Sequence, residues 1–507
     1  MIRRQFLETA LLAPAAAWAA AHTGVAAERP AALLVPRLSS LELLNLWEQQ
    51  PQGVQAFYEA CYRVFAGNRR ATFADVADDP AVVQVCKEQG ITHLGGPMLG
   101  DVAADGAKVW LRTCRPAKVE VRIVAEGRQR TFGPVSSTRQ SDLTAIVPVT
   151  GLRPATRYSY NVFVDGAELR LPAHAAITTA PAADASSVRI AFGTCSHRFG
   201  LGNQRQAAAI RARNPVAMLL CGDVAAQDRN NHCGLHRADY LLRDCYPAWQ
   251  GLAAAVPVYA TWDDHDYFDN DKWGIPSGYT AEDRTAVWNV FRQAWNNPAY
   301  GFGAPGGGVF FRTRIGPCDV ITTDGRYFRE KGSLLGAEQM AWLERQLLDC
   351  KGPFIILESS TMWSDYVSNG KDSWGVYDRA GRERIFSLIE KNRIGGVLLI
   401  SGDRHGARGF RIPRPSGFNF YEFEPASLGG IDWGPPAMAP DSSQQLFGHL
   451  GYAFGEFTID ASPADPTVTF RLIAEDGGVV HEVALTRSQL TPPASAAVKA
   501  EWSPRTS

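Results

Sequence analysis

The chain has 507 residues, too many for one simple core, so two domains with appendages are expected. Its 45% hydrophobic and 20% charged residues are those of an ordinary globular protein. A formal net charge of −1 gives no electrostatic reason to expect nucleic-acid binding, so an anionic substrate must be attracted locally.

Arg3 and Arg4, then Phe6-Leu7 and an Ala/Leu-rich run to about Ala21, resemble a twin-arginine export signal; Val25-Ala26-Ala27 offers small residues for a signal peptidase. Residues 1–27 are therefore read as a signal peptide, and the mature protein is expected to be periplasmic or secreted. The run is short and alanine-rich for a membrane span, and no later stretch approaches the roughly 20 apolar residues that one requires, so no transmembrane anchor is expected. Residues 28–94 form a helical N-terminal segment, because Leu41, Leu44, Trp47, Val54, Phe57, Cys61, Val64 and Phe65 recur at intervals of mostly three or four. Of the nine cysteines, Cys233 with Cys245 and Cys61 with Cys86 are candidate local bridges, while Cys221 reads as a core thiol.

From about Gly95 the period changes to that of strands, at Lys108–Thr113, Val119–Val124 and Thr144–Val149. Leu152, Pro154, Thr156, Tyr158 and Tyr160 resemble the strand entry of a fibronectin-III sandwich, where a tyrosine hydroxyl ties the corner to the backbone. Residues 95–180 are read as this β-sandwich and 181–187 as a linker.

Residues 188–488 alternate strands with helix-like stretches such as 203–213 and 336–348, which predicts an α/β core. Four apolar strands in it run into polar ends: Phe192-Gly193-Thr194-Cys195, Leu220-Cys221-Gly222-Asp223, Thr261-Trp262-Asp263-Asp264-His265 and Ser401-Gly402-Asp403-Arg404-His405. A buried strand that carries costly acids to the end of a sheet, where ligands bind in α/β proteins, needs a cation there. Residues 489–507 read as a loose polar tail.

These four stretches and Asp324-Gly325-Arg326-Tyr327-Phe328-Arg329, which lies between the third and the fourth, resemble the PhoD-like alkaline phosphatases and phosphodiesterases of the calcineurin-like metallophosphoesterase superfamily. The resemblance implies a layered α/β core of central β-sheets flanked by helices, preceded by the sandwich. It implies a binuclear metal centre in which Asp223 bridges: Cys195, Asp223 and His405 hold one ion, and Asp223, Asp264 and Asp403 the other. A thiolate–imidazole set suits iron or zinc, and an all-oxygen set suits calcium, magnesium or manganese. The family implies Fe3+ and Ca2+, with Zn2+, Mn2+ and Mg2+ as the other compatible ions. His265 contacts a phosphate oxygen or protonates the leaving alkoxide, and Arg326 is the preferred phosphate ligand, with a salt bridge to Asp324 as its structural alternative. Asp263, Asp266, Asp269, Asn270 and Asp271 read as an acidic loop of solvated charge, with ordering around the site or binding of further calcium as the alternatives.

The expected function is hydrolysis of phosphomonoesters, and of phosphodiesters, by a metal-activated water; the partners are small phosphate esters or phospholipid headgroups. One departure stands out. Members of the family carry an iron-binding tyrosine three residues after the bridging aspartate, and this chain has Ala226, so water, Asp228 or a residue from elsewhere must fill that place. Two alternatives follow: a phospholipase D-like phosphodiesterase with Trp273, Trp363, Tyr366 and Trp374 at an apolar mouth, and a surface-binding protein with a decayed site. Oligomeric state is not legible in the sequence.

Overall fold

The computed structural model describes residues 38–184, 187–365, 373–431 and 445–494; the expected export signal and most of the expected tail lie outside them. The N-terminal segment is helical: α1 (Ser40–Leu44), α2 (Gln52–Gly67), α3 (Phe73–Asp78) and α4 (Pro80–Gln89). A Thr72–Asp75 capping box starts α3, and Asp79 with Pro80 starts α4. Phe57, Cys61 and Phe65 are buried along one stripe of α2, as the periodicity requires. This segment reaches the α/β half of the chain, where Trp47 donates its indole N–H to the Phe199 carbonyl at 2.7 Å.

Nine strands follow: β1 (His93–Ala103), β2 (Gly106–Thr113), β3 (Ala117–Ala125), β4 (Arg128–Ser137), β5 (Thr144–Val149), β6 (Arg157–Tyr158), β7 (Tyr160–Val164), β8 (Ala167–Glu168) and β9 (Ile177–Thr178). An antiparallel sheet β1-β2-β5 and a second, β4-β3-β7-β8, bury Val109, Leu111, Val147, Val119, Val121 and Val162 in a common core. Tyr158 makes the expected corner: its hydroxyl accepts the Arg153 N–H at 3.1 Å.

The α/β half begins with β10 (Ser187–Gly193), α5 (His197–Gly200), α6 (Gln204–Ala212) and β11 (Ala217–Cys221). Two helices, α7 (Cys233–Cys245) and α8 (Pro247–Ala253), lead to β12 (Val258–Thr261), α9 (Asp264–Tyr267) and α10 (Ala281–Ala294). A second series comprises β13 (Phe311–Ile315), β14 (Cys318–Thr322), α11 (Gly336–Asp349), β15 (Phe354–Glu358), α12 (Trp374–Tyr377), α13 (Arg379–Lys391) and β16 (Val397–Ile400). The last strands are β17 (Ala407–Pro413), β18 (Asn419–Glu424), β19 (Gln445–His449), β20 (Ala453–Asp460), β21 (Thr467–Ala474) and β22 (Val479–Thr486).

These strands form two mixed sheets, ordered β12-β11-β10-β20-β21-β22 and β13-β14-β15-β16-β18-β17-β19. The sheets share one apolar core, in which Ile190, Phe192 and Leu219 of the first join Val320, Ile356 and Leu398 of the second. A separate core on the other face of the second sheet packs Ile355, Leu357 and Leu399 against Leu343 and Leu347 of α11 and Ile385 and Phe386 of α13. The parallel neighbours β10, β11 and β12 deliver their carboxyl ends side by side.

Three expectations change. Cys233 and Cys245 open and close the same helix, which separates them by about 18 Å and forbids a bridge. Cys61 and Cys86 are likewise free thiols. The polar tail does not begin at 489: Leu490 is buried, and its carbonyl accepts the Gly396 N–H at 2.9 Å.

Candidate metal centre

Asp223, Asp264 and His265 of the expected set come together at the ends of β11 and β12. One ligand atom from each of Asp223, Asp263 and Asp264 lies within 4.8 Å of the others, and the same holds for His197, Asp223 and His265. Asp223 is thus common to two donor groups. Gly222 makes the approach feasible: its φ is +88°, and a Cβ there would lie 2.7 Å from the Asp263 Cβ.

Cys195, Asp403 and His405 border this cluster. The Cys195 thiol is fully buried; burial pushes its pKa well up, and the nearby charges of Asp223, then Asp403, push it further, so it ionises there only beside a cation. Gly402, at the end of β16, is pressed against Thr194 and the Cys221 carbonyl, which brings the second sheet's loop to the first sheet's strand ends. His405 Nδ1 lies 2.9 Å from the Ile431 carbonyl. Only an Nδ1–H can donate to that oxygen, so the lone pair is on Nε2, the arrangement that orients a metal-binding imidazole.

His197 was not anticipated. It stands two residues after Cys195, and its backbone N–H donates to the Asp223 carbonyl at 2.6 Å. Its ring lies between two others, 5.0 Å from that of His265 and 5.3 Å from that of His405. It is fully buried, and neither ring nitrogen has a hydrogen-bond partner among the described residues. The same is true of both carboxylate oxygens of Asp223. Burial drives the Asp223 pKa well up, with Asp264 and Asp263 adding to the rise against the pull of His265; burial, with His265 and His405, drives that of His197 well down. Orphaned groups of this kind cost about 1–3 kcal/mol each, and a shared cation removes the cost. The donors present therefore fit a metal centre. The spacing Cys-x-His was the available signal for His197.

Ala226 is buried, and its N–H, with those of Val224 and Ala225, is accepted by Asp266. Asp228, one of the groups expected for the place that Ala226 leaves, is the partner of His265, with Oδ1 2.6 Å from Nδ1. Burial lowers the His265 pKa, but Asp223, Asp264 and the bond to Asp228 outweigh it and hold the value well above the usual imidazole range. Asp264 stays ionised, at about 2: burial raises it, and Arg326 and His265 lower it by more.

The expected acidic loop is only partly solvated. Asp263 and Asp266 are fully buried, and burial raises them to about 6 and about 7 respectively. Arg326 is also fully buried, and its Nε donates to Asp263 Oδ1 at 2.5 Å rather than to Asp324. Trp363 and Trp374 stack at 4.8 Å inside the core and line no mouth; Trp273 is half-buried with Arg329 over its ring, and Tyr366 lies outside the described residues.

Residues 222–470 match the family model of the PhoD-like phosphatases, and residues 92–182 that of a domain of unknown function, DUF7800. The fold is similar to a solved structure of PhoD, with TM-score 0.60 and 19% identity over 78% of this chain and 88% of the other. It is similar also to the purple acid phosphatase PPD1 isolated from yellow lupin (Lupinus luteus) seeds, with TM-score 0.59 and 14% identity over 79% and 77%. No curated protein matches the sequence.

Proposed function

The chain is a PhoD-like metallophosphoesterase, and from that premise we propose that it is an exported phosphatase that hydrolyses phosphomonoesters and phosphodiesters at a binuclear centre bridged by Asp223. The observation that carries this reading is the membership of Asp223, buried and unpaired among the described residues, in both donor groups. Cys195, His197, Asp223 and His405 would hold one ion, with His197 in the place that Ala226 cannot fill. Asp223, Asp264 and Asp403 would hold the other. The sulfur–nitrogen set suits iron or zinc and the oxygen set calcium, magnesium or manganese, with iron and calcium the pair the family implies. When bound, such ions polarise a phosphoryl oxygen and acidify water.

His265 supplies the proton. Because the Asp228 carboxylate can only accept, Nδ1 carries a hydrogen and Nε2 is the atom that exchanges a proton with the leaving alkoxide. Export rests on the paired arginines at the N-terminus.

The test is elemental analysis of protein purified without added metal, together with hydrolysis of mono- and bis-nitrophenyl phosphate by the same sample. Two ions per chain with turnover support the reading, and the ratio of the two rates sets the balance of monoesterase and diesterase. Absence of both ions and turnover after reconstitution, or a trapped phosphorylated side chain, overturns it.

A further inference from the structure

The turn after β14 has its polar side chains directed at the loop after β12. Asp324 Oδ1 accepts the Trp262 indole N–H at 2.8 Å and the N–H groups of Arg326 and Tyr327 at 2.9 Å, while its Oδ2 accepts the Val309 N–H at 2.9 Å. The Tyr327 ring stacks on Trp262, with 9° between the planes. Arg326 completes the clamp: Nε donates to Asp263 at 2.5 Å, and a terminal nitrogen lies 3.8 Å from Asp264 Oδ1. Ser360, from the strand end beside it, donates to the same Asp263 oxygen at 2.8 Å. The guanidinium is inaccessible to solvent.

We propose that Arg326 is a positioning residue, which holds the carboxylates of Asp263 and Asp264 and thereby builds the oxygen-donor half of the metal centre, without touching the phosphate. The proposal rests on the phosphoesterase reading for its context and on the geometry of the turn for its content. The bond from Nε and the 3.8 Å approach of a terminal nitrogen both direct the guanidinium at the two acids of the loop after β12. With one Asp263 oxygen fixed by two donors, that carboxylate cannot rotate into the place of Asp264. A guanidinium spans both acids at once, and a lysine ammonium, a single point charge, cannot.

Arg326→Lys, Arg326→Gln and the double variant Asp263→Asn with Arg326→Gln are compared with wild type in two measurements. Retention of the oxygen-site ion is read by calcium and manganese titration against a chelator, and binding of inorganic phosphate is read on the fully loaded protein. We expect all variants to release the oxygen-site ion about 10- to 100-fold more readily, the range typical of residues that orient metal ligands, with phosphate affinity per loaded site unchanged. Unchanged ion retention with weakened phosphate binding overturns the proposal, because Arg326 is then a substrate ligand; so does no change in either. If Arg326→Gln alone fails to fold, the lysine and double variants decide on the same criteria. Two ions bound by wild type with no ester hydrolysis would refute the phosphoesterase reading and leave this one standing.

Discussion

His265 Nδ1 and Asp228 Oδ1 are 2.6 Å apart, and the Asp228 N–H returns a bond to the His265 carbonyl at 3.1 Å. The pairing sets the imidazole's orientation and its charge together. Bound cations cancel the pull of Asp223 and Asp264 on the ring, which leaves Asp228 as the group that keeps it protonated. Asp228→Asn preserves the shape and removes the charge. The folded pKa of His265 is raised, so its protonated form persists to high pH; in the variant the alkaline limb of kcat moves to lower pH. For an alkyl phosphate, whose leaving group needs the proton, kcat falls roughly 10²-fold. For nitrophenyl phosphate the fall is smaller, and equal losses on both esters would show that the histidine does not act as the acid.

His197→Ala removes a ligand without disturbing any hydrogen bond of the ring, since none exists among the described residues. Iron or zinc content is expected to fall below half an ion per chain, with kcat/KM down at least about 10²-fold. With imidazole in place of phenolate, iron-loaded wild type lacks the phenolate-to-iron band in the visible spectrum. Full metal content in the variant would exclude His197 from the ligand set.

A second buried cluster bears on stability instead of chemistry. Asp142 accepts from Arg237 at 2.8 Å and from the Phe73 N–H at 2.8 Å, with Arg112 3.8 Å away. Burial raises its carboxyl, but the two arginines outweigh burial and hold it below the ordinary value. Its contribution is therefore full above pH ~4 and is lost as pH falls through the depressed value. Asp142→Asn should cost about 3 kcal/mol at pH 7, from two stranded guanidinium groups. Urea unfolding at pH 7 and pH 5 should give the same gap between variant and wild type, narrowing only below pH ~4. A gap that shrinks between pH 7 and 5 contradicts this assignment.

Tyr158→Phe deletes one bond at the sandwich corner and leaves the ring in place. A loss of about 1 kcal/mol in unfolding free energy is expected, with turnover unaltered. A variant as stable as wild type would show that packing alone holds the corner.

The α/β architecture and the converging strand ends were legible because each loop rich in acids and histidines follows an uninterrupted apolar run, as in Ala217–Cys221 and Val397–Ile400. The tyrosine corner was legible because its spacing is local. His197 was not, because nothing in the Cys-Ser-His triplet says whether the imidazole turns inward; the fold decides that through the bond from its amide to the Asp223 carbonyl. The partner of Arg326 is hidden for the same reason. Asp324 is two residues away in the chain, yet its oxygens are occupied by backbone amides and an indole, so the guanidinium turns to Asp263, 63 residues distant.

Cys195, His197, Asp223, Asp403 and His405 all hold left-handed backbone, with φ of 52°, 49°, 55°, 78° and 63°. Each such residue other than glycine costs roughly 1 kcal/mol. A lineage released from selection for metal binding would gain stability by drifting to glycine at these five positions, one at a time. Asp403→Gly should therefore yield a protein that melts at higher temperature than the metal-stripped parent, and one that no amount of added metal restores to turnover.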